Sequence, residues 1–421
     1  MRLPPHSSLG QGLRKGVTMV DPELGHNGTS MAGTGWVGSW MAAQQPVWDE
    51  HFPFPVGLPS VLENVTIRQF ARLSLGGRRL RVVLSNTYGS VPVTVRAASV
   101  ARAHGPDSAV ETTPLVVTFA GEPSVTISPG NDRISDPVAL PLSPLSTVAM
   151  SLYLPDTVRP QSFHWDGRST ALIGEGQQTD RAAFPVVTTT ETRFLLSRIL
   201  VEAPEHQGCV VAFGDSITDG NGVPVNTETR WPDFLAARLQ TGRVSVLNTG
   251  ISGNRLLRDG MGQSGLTRFS GDVLSHPGVR TVIVLLGIND IGMPGTPLAP
   301  DDPTVSAGEL IAGYQQLITQ AHDHGIRIIG ATLLPFEGAL SDTPFAGFWS
   351  PAKEQVRQDV NHWIRTAQAF DAVVDFDRLL CDPARSFRLH PVSDSGDHLH
   401  PGPEGYRRMA DGVPMRDLLS E

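Results

Sequence analysis

The stretch Cys209-Val210-Val211-Ala212-Phe213-Gly214-Asp215-Ser216-Ile217-Thr218-Asp219-Gly220 decides the fold. Its first five residues are apolar without alternation, the pattern of a strand buried on both faces of a sheet, and Gly214 marks a sharp turn out of that strand. Four further apolar runs follow, at Val244–Asn248, Thr281–Leu286, Ile326–Leu333 and Ala372–Asp375. Between them Trp231–Gln240, Glu309–His324 and Lys353–Phe370 carry helical spacing. Strand runs alternating with amphipathic helices predict a parallel sheet covered by helices.

Upstream the grammar differs. From Val65 to Leu200 the pattern predicts short strands at Val65–Leu75, Leu80–Leu84, Val91–Val100, Leu115–Phe119, Val138–Leu140, Thr147–Leu154 and Phe194–Val201. Turn signals such as Gly76-Gly77 and Pro129-Gly130-Asn131-Asp132 separate them, and helical periodicity is nearly absent. That spacing predicts an all-β sandwich or jelly roll. At 421 residues the chain exceeds the usual single-domain length. The expected organisation is two-domain: a disordered lead at 1–34, a sandwich or jelly-roll-like domain at 35–203 and an α/β domain at 204–421, with the boundary near Ala203-Pro204.

Composition narrows the function. Hydrophobic residues make up 40% and charged residues 18%, as in globular proteins rather than disordered ones. A net charge of -9 disfavours nucleic acid and anionic lipid surfaces as partners. Met1–Thr34 has no apolar stretch of about 7–15 residues and nothing later resembles a membrane span, so the expectation is a cytoplasmic chain as encoded. Cys209 and Cys381 have no Cys or His company at metal spacing, and both are expected to be reduced core residues. Gly220-Asn221-Gly222 begins like a dinucleotide fingerprint, but Val225 stands where the third glycine belongs. No cofactor and no metal are expected.

Ser216 falls at the carboxyl end of the first parallel strand, where open α/β sheets bind ligands. Taken alone it reads rather as an ordinary turn or helix-capping serine. A serine nucleophile needs a base, and Asp397-His398-Leu399-His400-Pro401 supplies one after the fifth strand. In a helical turn, the three-residue spacing lets Asp397 reach His400 Nδ1 and leaves Nε2 for the serine, whereas His398 points elsewhere. Ester cleavage also needs donors for the developing oxyanion. Gly253 follows the second strand and Asn289 the third. Each of these four segments has an ordinary reading by itself; together they occupy successive strand ends.

In that combination, residues 207–421 resemble the SGNH hydrolases of the GDSL type, with Ile217 where the family has leucine. The resemblance implies a three-layer, flavodoxin-like parallel-sheet fold. It also implies Ser216 as nucleophile, His400 as base and Asp397 as its orienting acid. The oxyanion hole would be the Ser216 and Gly253 N–H groups with the Asn289 side chain. Trp36-Val37-Gly38-Ser39-Trp40 and residues 79–86 resemble the β-rich N-terminal part of a bacterial subgroup of these hydrolases.

The expected activity is a serine carboxylesterase acting on short-chain, acetyl-type esters of small molecules or glycans. The alternatives are an acetylxylan-esterase-like carbohydrate deacetylase, a longer-chain lipase or thioesterase, and a glycan-binding β-domain on an inactive hydrolase scaffold. His164-Trp165 could reach the active site but reads more simply as structural. The loop Ile291–Ser306 and the insertion Glu337–Pro351, with Phe345, Phe348 and Trp349, could wall an acyl pocket or merely cover the core.

Overall fold

Gly208–Gly214 (β1) is buried along its whole length, as its uninterrupted apolar run requires. The computed structural model describes residues 35–105, 109–203, 208–240 and 244–419. In it β1 lies between Val244–Gly250 (β2) and Val279–Leu285 (β3), with Arg327–Ala331 (β4) and Ala372–Val374 (β5) beyond. All pairs are parallel, in the order β2-β1-β3-β4-β5. Gly214 pairs with both Gly250 and Leu285, so three strands end level and their outgoing turns meet at one edge.

The helices that bear on the site are Ser216–Asp219 (α1), Trp231–Leu239 (α2), Ile288–Gly292 (α3), Ala307–Asp323 (α4), Pro351–Thr366 (α5) and Pro403–Gly412 (α6), beside the five-residue helices Gly265–Phe269, Phe376–Leu380 and Met415–Leu419. A capping box starts α4: the Ser306 hydroxyl accepts from Glu309 N while the Glu309 carboxylate accepts from Ser306 N at 2.8 Å. Leu310, Tyr314, Leu317, Ile318 and Ala321 then line one buried face at helical spacing. Two expected elements end early for local reasons. Leu333 N–H leaves the ladder for Asn361 Oδ1 at 2.7 Å, and the chain past α5 turns at Gln368, whose φ is +52°.

The N-terminal region is strand-rich. Thr188–Thr190, Ala171–Glu175, Val65–Arg72, Thr147–Leu154, Ala97–Ala103 and Leu115–Val116 form a six-stranded sheet, in that order. Trp36–Met41, Leu196–Glu202, Leu80–Ser85 and Asp132–Ile134 form a four-stranded one. Every pairing in both is antiparallel. Three expected strands change. Val91–Val100 splits at Arg96 into Val93–Val95, paired with Val125–Ile127, and Ala97–Ala103, paired with Thr147–Leu154. Phe194–Val201 is interrupted at Leu195, with φ +60°, and Val138–Leu140 touches Leu80 through an isolated bridge only.

The two regions share one apolar cluster, which holds Val37, Trp40 and Ile199 together with Val211 and Leu247. Gly38 permits this approach, because a Cβ there would stand 2.9 Å from Leu247 Cδ1. β2 is the sheet edge, and its Val246 N–H donates to Ser74 Oγ at 3.0 Å, which covers a backbone donor that an edge leaves open. Residues 1–34, and Pro204 on the far side of the expected boundary near Ala203-Pro204, lie outside the described residues. Cys209 is buried and free as expected, whereas Cys381 is only half-buried, because it starts a two-residue surface strand. Among the described residues no helix is long and apolar enough to cross a membrane.

Candidate active site

The turn after β1 admits no side chain at its first position. A Cβ on Gly214 would meet Thr218 Oγ1 at 2.2 Å and the Leu285 carbonyl oxygen at 2.5 Å. Asp215 then caps α1, its Oδ1 accepting from Ile217 N at 3.0 Å, and Gly220 closes the helix at φ +112°. Ser216, first in the helix, is thereby held at the sheet's carboxyl edge with its residue surface 6% exposed.

His400 meets it there. Nε2 lies 2.8 Å from Ser216 Oγ, and Nδ1 lies 2.6 Å from Asp397 Oδ2. Since a carboxylate only accepts, Nδ1 carries a proton and Nε2 faces the hydroxyl. The reach of Asp397 does not come from a helical turn, as the spacing suggests. Residues 395–400 form an irregular bend in which Asp397 Oδ1 accepts from Leu399 N at 2.9 Å and His400 N at 2.8 Å. Burial works against the Asp397 charge, but the hydrogen bond and charge of His400 and these amides outweigh it and hold the carboxyl below its ordinary range.

His398 takes a separate place. It adopts φ +63°, its Nδ1 donates to Asp394 Oδ2, and its Nε2 accepts from Arg388 Nη2 at 2.5 Å. The loop therefore contains two Asp–His pairs, of which only the second faces Ser216.

The turns after β2 and β3 complete the edge. Gly253 adopts φ +72°, and a Cβ there would fall 2.0 Å from Met261 Sδ. Among the described residues, neither the Ser216 nor the Gly253 N–H makes a hydrogen bond. Asn289 sits on α3 rather than in a loop, and its Nδ2 donates to Asn254 O at 3.0 Å, against the Gly253 turn. Next to it Asp290 accepts from Leu256 N at 2.6 Å and Leu257 N at 2.9 Å, which locks the two turns together. Burial raises its carboxyl to about 6 despite those bonds, and raises that of Asp215 to about 7.

Sequence reasoning missed Arg268, which donates to Thr249 O at 2.7 Å and Gly214 O at 2.8 Å while stacking on Phe213. It ties the ends of β1 and β2 from below, and no periodicity marks it. Among the described residues no cluster of three or more His, Cys, Asp or Glu could hold a metal ion. Of the two candidate pocket segments, Phe348 is buried against Gly292 and Trp349 is half-buried, while Phe345 stacks near Phe54 of the N-terminal region at 5.6 Å.

Residues 212–408, which hold Ser216, Gly253, Asn289, Asp397 and His400, match the family model of the GDSL-like lipase/acylhydrolases. This part of the chain is a GDSL-like acylhydrolase domain. The chain is accordingly an ester hydrolase. No curated protein matches it. Among solved structures, the chain is similar to an aryl esterase of M. smegmatis, at 18% identity and TM-score 0.40, over 50% of this chain and 100% of that one. It is likewise similar to a carbohydrate acetylesterase family member from Sinorhizobium meliloti, at 18% identity and TM-score 0.41, over 51% and 100%. An acetyl xylan esterase is matched at 22% identity and TM-score 0.35, over 48% and 96%.

Proposed function

We propose that the chain is a serine carboxylesterase for short-chain, acetyl-type esters, with Ser216 as nucleophile, His400 as base and Asp397 as the acid that orients it. The observation that carries the reading is the hydrogen-bonded relay from Ser216 Oγ through His400 to Asp397, at 2.8 and 2.6 Å. As Ser216 Oγ attacks the acyl carbonyl, its proton passes to His400 Nε2 and Asp397 stabilises the imidazolium. The carbonyl oxygen becomes an anion facing the Ser216 and Gly253 amides and the Asn289 Nδ2 group. Collapse expels the alcohol, which takes the proton from His400. Water then repeats the sequence: His400 removes its proton, hydroxide adds to the acyl-serine, and the carboxylic acid departs with Ser216 regenerated.

The preference for a small acyl group is supported by side chains that fill the space beside the donors. Met261 packs on Gly253, and Phe348 packs on Gly292 so closely that a Cβ there would stand 2.2 Å from its ring. A carbohydrate-deacetylase reading has one observation in its favour, a cluster of half-buried rings from Trp48, Phe52, Phe54, Trp165 and Phe345 where the N-terminal region meets the insertion. In this reading residues 35–203 are a sandwich, jelly-roll-like in its connections, whose leaves are the four- and six-stranded sheets, and 204–421 are the catalytic domain. The test is an ester series from acetyl to palmitoyl, with Ser216→Ala as control. Turnover falling steeply beyond butyryl is expected; a maximum at long chains would replace esterase by lipase or thioesterase.

A further inference from the structure

A second buried chain of polar groups reaches the same turns from the N-terminal region. His164, on the strand Ser162–His164, places Nδ1 2.8 Å from the Ala43 carbonyl oxygen and Nε2 3.0 Å from Asp219 Oδ1. Both ring nitrogens thus face acceptors, and both carry protons. Burial opposes that charge, but the Asp219 carboxylate and the Ala43 carbonyl more than compensate and raise the histidine's pKa.

The other Asp219 oxygen, Oδ2, accepts from Ser252 N at 3.0 Å and Ser252 Oγ at 3.1 Å. Asp166, two residues past His164, lies 3.2 Å from the same Ser252 hydroxyl and 3.3 Å from Asn221 Nδ2. Burial and the Asp219 charge push the Asp166 carboxyl above its ordinary range. Ser252 immediately precedes Gly253. On its other side Gly253 packs on Met261, whose carbonyl accepts from Gln45 Nε2 at 2.6 Å and Trp48 Nε1 at 2.9 Å. The Gly253 turn is therefore gripped on two sides by residues of the N-terminal region.

We propose that His164, acting through Asp219 and Ser252, is a positioning residue for the oxyanion-binding amide of Gly253, so that the N-terminal region completes the active site. The inference rests on the Ser216 reading above. An amide donor aimed at an oxyanion matters most in the transition state, so misplacing it lowers kcat while leaving ground-state binding nearly unchanged.

The experiment counts competent sites with a serine-directed phosphonate and expresses kcat per titrated site. His164→Asn keeps a donor for Ala43 but falls short of Asp219; kcat per site for an acetyl ester should drop about tenfold or more, with KM within about twofold. His164→Gln, whose amide reaches the position of Nε2, should recover most of the loss. A drop confined to the titratable fraction, an unchanged kcat per site, or a Gln variant no better than Asn would overturn the proposal. If His164→Asn yields no titratable enzyme, Ser252→Ala tests the last link: a several-fold loss of kcat per site supports it and an unchanged value overturns it. Ser216→Ala separates the two readings. If that variant is still labelled and active, the nucleophile assignment fails, whereas the positioning role is judged only on variants in which Ser216 titrates.

Discussion

His400 Nε2 lies 2.8 Å from Ser216 Oγ although 184 residues separate them in the chain. In the proposed mechanism each partner needs the other, since the hydroxyl is a weak nucleophile without the ring and the ring has nothing to activate without the hydroxyl. Ser216→Ala should therefore lower kcat for an acetyl ester by about 10⁴-fold or more, and His400→Ala by a similar factor. The double variant should be no worse than either single one, because the two act as a unit. Rates that multiply across the pair would show that they act separately.

The two Asp–His pairs of the 394–400 loop make a sharper comparison. Asp397 touches His400 Nδ1 at 2.6 Å, while Asp394 holds His398 and accepts from Gly396 N at 2.8 Å. Asp397→Ala is expected to cost about 10³- to 10⁴-fold in kcat, and Asp394→Ala less than about tenfold. The measurement is kcat for both variants at one pH, with circular dichroism confirming that each is folded. Equal losses would mean that the loop's shape, and not the carboxylate at Nδ1, carries the effect.

The acylhydrolase half was readable because its signal is continuous. An apolar run such as Val210–Phe213 can only be a buried strand or helix segment, and the glycine that follows sets the turn. The Asp397–His400 partnership was readable from its spacing, but its geometry was not, because the bend depends on a non-glycine residue at positive φ, His398, which no periodicity announces. The N-terminal half was harder. Trp36–Met41 carries a register shift between Gly38 and Trp40, which breaks the two-residue alternation on which strand reading relies. Least readable was the His164–Asp219–Ser252 chain. Each member is an ordinary polar residue locally, and only the packing of the two regions makes them neighbours.

The donors beside Ser216 should show their role in kcat. Asn289→Ala removes an amide held in place by Asn254 O, and an oxyanion donor is typically worth about 10²- to 10³-fold. The expected outcome is a loss of that order in kcat with KM nearly constant. Asn289→Asp should be at least as damaging, since it puts a carboxylate where negative charge develops. A KM increase with kcat preserved would assign Asn289 to substrate binding instead.

Asp215 makes a prediction about stability rather than rate. Its side chain is fully buried, Oδ1 accepts from Ile217 N, Oδ2 has no hydrogen-bond partner among the described residues, and burial raises the carboxyl to about 7. Folding therefore favours the protonated form. In the unfolded chain the group ionises above about pH 4, so its contribution is fully present below that pH and is lost as pH rises towards 7. At 1.36 kcal/mol per tenfold change in proton affinity, the whole interval is worth about 4 kcal/mol. Asp215→Asn retains an oxygen for Ile217 N and cannot ionise. Its unfolding free energy minus that of the unsubstituted protein should therefore grow steadily from about pH 4 to 7 and level off above. Denaturant titrations across that range, at constant ionic strength, read this difference directly while the other buried carboxyls cancel. A difference that stays constant with pH would mean that Asp215 is ionised in the folded protein, with its charge compensated at the strand end by Arg268 and the α1 amides.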